Sequence, residues 1–161
     1  ERNLDIRYQM MVDDKISMGE DGVISFSCIA NASSICMFED YEYHYRVNPA
    51  SLTRSKSKYI PMEGALLRIK MLQQTLPINN PIIEKQLSAY VAHALFNVAR
   101  SHFKSASFSF TKKELNEVLA NKYIKSYLSE ASNCQNPKER IAALALKNKW
   151  FILIKFISIL L

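Results

Sequence analysis

The stretch PIIEKQLSAYVAHALFNVARSHF, residues 81–103, decides how the rest of the chain is read. Its apolar residues Ile83, Leu87, Tyr90, Val91, Ala94, Leu95 and Val98 recur at helical spacing, while Glu84, Lys85, Gln86, Ser88 and Arg100 fall largely off that stripe. Asn80 offers a capping side chain and Pro81 a φ that is already helical, so the start has a physical cause. At about 1.5 Å per residue the helix is roughly 30 Å long, enough to serve as the spine of a small domain. The other segments are read as packing on it.

A chain of 161 residues with 48% hydrophobic side chains suits one domain, or a small domain with an extension, and can build a real core. Wholesale disorder is excluded. Three glycines leave few positions that take positive φ cheaply, which argues against glycine-rich phosphate loops and turn-rich all-β folds. Cys28, Cys36 and Cys134 are odd in number and show neither metal-ligand spacing nor a C-x-x-C pair. They read as thiols in a reducing compartment, hence a cytoplasmic location, unless a hairpin brings Cys28 against Cys36. No signal peptide is recognisable, although a chain that begins at Glu1 is also what a fragment without its targeting segment would look like.

The net charge of +6 hides an asymmetry. Residues 1–42 hold nine acids against Arg2, Arg7 and Lys15, a balance of −6, and the other eighteen bases and six acids give residues 43–161 a balance of +12. A basic body behind an acidic front is one pattern expected of a polyanion-binding protein, because clustered cations release counterions from phosphates. Mutual attraction of the two parts would produce the same pattern.

Upstream of the spine, alternation of period two predicts strands. Leu4, Ile6, Tyr8, Met10 and Val12 share one face, Ile24, Phe26, Cys28 and Ala30 another, and residues 31–34 can close a hairpin onto a strand from Ile35. In YEYHYRV, Tyr41, Tyr43, Tyr45 and Val47 form a ladder that would wall a core or stack on a flat ligand. The expectation is an antiparallel sheet of three to four strands over residues 1–60. In SLTRSKSK, Arg54, Lys56 and Lys58 stand at every second position, the best local candidates for phosphate contact in what is otherwise a solvated loop.

A helix from Pro61 to about Leu76, with Met62, Ala65, Leu66, Ile69 and Leu72 inward, should form a hairpin with the spine. After the spine, KSASFSF alternates and reads as a short strand, and Thr111 with Glu114 matches a capping box. Leu115, Val118 and Leu119 give one inward stripe and Ile124, Tyr127 and Leu128 another, out of phase, so two short helices should meet at Ala120 and Asn121. The order of long helix, short strand and helix-turn-helix over residues 111–132 is similar to winged-helix modules, although a glycine usually marks the turn and about two more residues separate the helices. That resemblance implies Lys122, Tyr123 and Lys125 on an exposed recognition face, with Lys112 and Lys113 near phosphates.

Asn136 and Pro137 start the last helical region. Three lysines within residues 141–161 argue against a membrane span, and the apolar run WFILIKFISILL reads as a helix wedged into the core or a partner, or as a central strand. Trp150, Phe151 and Phe156 would be its largest contacts.

The sequence therefore predicts an α+β protein, the amino-terminal sheet followed by four to five helices over residues 61–161. Scattered histidines and the absence of a nucleophile or metal motif point away from an enzyme, a cofactor or a metal centre; Asp13, Asp14, Glu39 and Asp40 with His44 read as turn chemistry before they read as ligands. Two functions follow. One is a nucleic-acid-binding protein, a DNA-binding transcriptional regulator whose β part senses or dimerises. The other is an assembly subunit that buries its apolar carboxyl-terminal helix in a protein partner or a homo-oligomer.

Overall fold

The computed structural model describes residues 62–76 and 79–160, together with Ile24, Ser25, Cys28, Ile29, residues 32–34 and Cys36. Among the described residues there are six long helices and no strand: α1 (Met62–Thr75), α2 (Pro81–Ser105), α3 (Phe108–Ala120), α4 (Lys122–Ala131), α5 (Pro137–Lys147) and α6 (Phe151–Leu160). The expected α+β class is thereby corrected to all-α for the described part. Ile24, Ser25, Cys28 and Ile29 are helical where residues 23–30 should have formed a strand. Ile24 and Cys28 lie four apart, so the same apolar pattern that alternates also fits a helical face, and the partly buried Ile24 packs against the helical core. Cys28 and Cys36 are free and exposed, so the bridge is not formed. The other expected strands, the tyrosine ladder and Arg54, Lys56 and Lys58 lie outside the described residues.

The spine behaves as its sequence requires. Asn80 Oδ1 accepts from the Ile82 amide at 3.0 Å, and Pro81 occupies the first turn. Leu87, Val91, Leu95 and Val98 are buried, but so are Ala92 and Ala99 on a second side, and α2 packs against each of the other five helices. Small residues on that second side let neighbouring backbones approach closely. α1 pairs with α2 as the expected hairpin, burying Met62, Ala65, Ile69 and Leu72.

The FSF segment is not a strand. Ser107 caps α3, its Oγ accepting from the Phe110 amide at 3.4 Å, and Phe108 begins the helix with its ring 5.3 Å from that of Phe103. A serine before an aromatic alternates in a strand and caps in a helix, and here the stacking of Phe108 on Phe103 of α2 decides. The expected capping box is corrected with it. Thr111 is fully buried and its Oγ1 has no hydrogen-bond partner, while Glu114 Oε2 accepts from Nδ1 of the fully buried His102 at 2.9 Å.

The mostly apolar region 141–161 divides between α5 and α6, which brings six described helices where four to five were expected. Lys149 takes φ 55°, the Trp150 amide donates to Ala145 O at 2.8 Å and the Lys149 amide to Leu146 O at 3.0 Å. This is a Schellman termination with lysine where glycine is usual. Among the described residues no helix is long and apolar enough to cross a membrane.

Candidate functional site

After the reversal at Lys149, α6 lays one side on α2 and turns the other outward. Phe151, Ile154 and Ser158 are buried, with the Phe151 ring 6.3 Å from Phe103. Ile152 (78% exposed), Phe156 (60%), Ile159 (69%) and Leu160 (66%) recur at i, i+4, i+7 and i+8 on the opposite side, with Leu153 beside them. Trp150, 47% exposed, stands at the amino end of this face. Of the three aromatic contacts expected at a partner, Trp150 and Phe156 thus face outward, whereas Phe151 belongs to the protein's own core. Ile152, Ile159 and Leu160 escape a reading of the sequence because a run apolar on all sides does not say which stripe meets α2.

The charges along the segment that carries this face have one sign. From residue 141 to the end there is no aspartate or glutamate, while Lys147, Lys149 and Lys155 are present. Lys155 Nζ lies 5.3 Å over the Phe108 ring, and Lys147 Nζ donates to Ser129 Oγ at 3.3 Å.

The second candidate surface lies on α3 and α4. The two helices meet at Asn121, as the change of phase predicts: its amide closes α3 on Val118 O, and its Oδ1 accepts from the Tyr123 amide at 2.9 Å to open α4. One residue therefore separates the helices, where the DNA-binding motif uses a turn of three or four. Lys112, Lys113, Lys122, Tyr123 and Lys125 are all exposed, and Lys122 Nζ sits 5.0 Å over the Tyr123 ring. Glu114, on the same helix as Lys112 and Lys113, turns to His102 instead, and among the described residues none of the four lysines bridges to a carboxylate. The short strand that the winged-helix resemblance needed is absent from this stretch.

Three clefts mark the described surface, one of them an open groove of about 550 Å³ along α3 lined by Ser109, Lys112, Lys113, Asn116, Glu117 and Ala120. A second, of about 230 Å³, is apolar and lies between α1 and α2, lined by Leu72, Leu76, Ile83, Leu87 and Tyr90, with Ile29 at its edge. Another, of about 370 Å³, is polar and lies where α2 begins beside α4, with Glu84, Ser88, Ser129 and Glu130 in its walls. Among the described residues no three His, Cys, Asp or Glu side chains are placed to hold a metal ion, and Asp13, Asp14, Glu39, Asp40 and His44 lie outside them. His93 is exposed, and His102 is engaged with Glu114. Comparison with protein-family models, curated proteins and solved structures gives no match to this chain.

Proposed function

We propose that the helical part is an interaction module that docks through the outer face of α6, with the helices behind it acting as a rigid platform. One observation carries this reading: four large apolar side chains stand in helical register on the outward side of a helix whose inward side already fills the core. Each would contribute up to about 1.5–3 kcal/mol on burial, and a contiguous patch of this kind on a folded surface is the usual mark of a contact site.

The test is retention of the full chain on a phenyl-bearing matrix beside its mass in solution, for the parent and for Ile152→Ser with Phe156→Ser. Both side chains point away from the core, so the double variant should melt within a few degrees of the parent. Clearly weaker retention is expected; equal retention and equal mass would refute the docking face. A second reading, nucleic-acid binding through Lys112, Lys113, Lys122 and Lys125, is supported by their exposure without carboxylate partners. It requires affinity for duplex DNA or RNA that falls steeply with salt and is lost when Lys122 and Lys125 become glutamate.

A further inference from the structure

We propose that the occupant of the α6 face is an anionic phospholipid surface, on which the helix lies flat at the level of the headgroups. This rests on the reading of α6 as a docking face and names its partner. Charge complementarity carries the choice. Residues 141–161 hold three lysines and no acid, and α2, on which α6 rests, has no acid after Glu84 and an exposed Lys104 in its last turn, while Glu114, the carboxylate that reaches this end of α2, is engaged with His102. An apolar stripe on a segment whose only charges are lysines, with a tryptophan at one end, is the composition of helices that settle into the headgroup boundary of an acidic bilayer.

The ten described residues of α6, at about 1.5 Å each, span roughly 15 Å, about half of a hydrocarbon core of about 30 Å, and no described helix is long and apolar enough to cross one, which favours a helix lying in the interface. Trp150 would then anchor at the headgroups, where an indole keeps its N–H in a wet layer and its ring in an apolar one.

The same charges disfavour a second copy of this chain. A twofold contact places a patch against itself, so Lys149 and Lys155 of one copy would approach those of the other, and lysine is depleted from the cores of protein interfaces. Lys149 also keeps its cation at a left-handed position, φ 55°, where glycine would fit without strain.

The experiment is co-sedimentation of the full chain with vesicles of phosphatidylcholine alone and with about one-third phosphatidylglycerol, at low and high salt. The chain should bind the anionic vesicles, bind the neutral ones at least tenfold more weakly, and come off the anionic ones as salt rises. Lys149→Gln should weaken binding about fivefold, the share of one cation near the surface. Ile152→Ser with Phe156→Ser should weaken it about 100-fold with an unchanged melting temperature. Absence of binding to anionic vesicles, or equal binding to neutral ones, overturns the lipid assignment. If the parent is instead retained on the phenyl matrix, or is a dimer that Ile152→Ser with Phe156→Ser splits, the docking face stands and only its lipid partner falls. Loss of every one of these differences removes both.

Discussion

Replacing Thr111 by valine should stabilise the protein, which separates two accounts of how α3 begins. A threonine that opens a capping box satisfies an orphan amide, and its loss costs about 1 kcal/mol. In the folded chain Ser107 does that work, and Thr111 is fully buried with its hydroxyl unmatched. A buried hydroxyl without a partner is unfavourable by about 1–3 kcal/mol, and the added methyl contributes up to about 0.8 kcal/mol more. Valine and threonine have nearly the same shape and similar helix propensity, so little is lost in return. The net expectation is a gain of about 1–2 kcal/mol, which for a helical unit of this size raises the melting temperature by about 4–8 °C per kcal/mol. Thermal and urea unfolding followed by circular dichroism would measure it, with Ser107→Ala as the matched loss of about 1 kcal/mol. A Thr111→Val protein less stable than the parent would show that the hydroxyl is bonded and that Ser107 is not the cap.

The remaining expectations concern other joints of the fold. Glu114→Ala should cost about 1–3 kcal/mol, because the fully buried His102 loses the acceptor of its Nδ1 proton, and urea titration reads the loss directly. Leu95→Ala, at a site with no exposure on the helix that the five other long described helices touch, should cost about 3–5 kcal/mol; a loss under about 1 kcal/mol would mean that α2 is not the spine. Lys149→Gly should raise stability by about 0.5 kcal/mol, since relief of the left-handed backbone slightly exceeds the extra freedom of the unfolded chain, while vesicle binding drops.

How far the sequence reaches can be seen in particular residues. Asn80, Asn121 and Asn136 each cap a helix through a side chain that bonds an amide two residues on, and a bond confined to so few residues is legible from the order of the amino acids alone. The inward stripe of α2 at Leu87, Val91, Leu95 and Val98 is legible for a similar reason, since periodicity reports one buried face. Alternation misleads over residues 23–30 and at Phe108 to Phe110, where a window of a few residues fits strand and helix alike. On α3 and α4 the exposure of the lysines is legible, whereas the one-residue junction at Asn121 is tighter than a helix-turn-helix pattern implies.

The amino-acid order by itself determined where the spine helix starts, where its main apolar stripe runs, where α3 hands over to α4, and that residues 141–161 carry three lysines in a mostly apolar region. Tertiary structure alone decided that Glu114 serves His102 across two helices, that Gln73 Nε2 donates to the Tyr127 hydroxyl 54 residues away at 2.7 Å, and that Phe151 goes in while Ile152 and Phe156 stay out. Caps and stripes are short-range consequences of backbone geometry, whereas the choice between two apolar sides of one helix depends on which surface the rest of the chain presents to it.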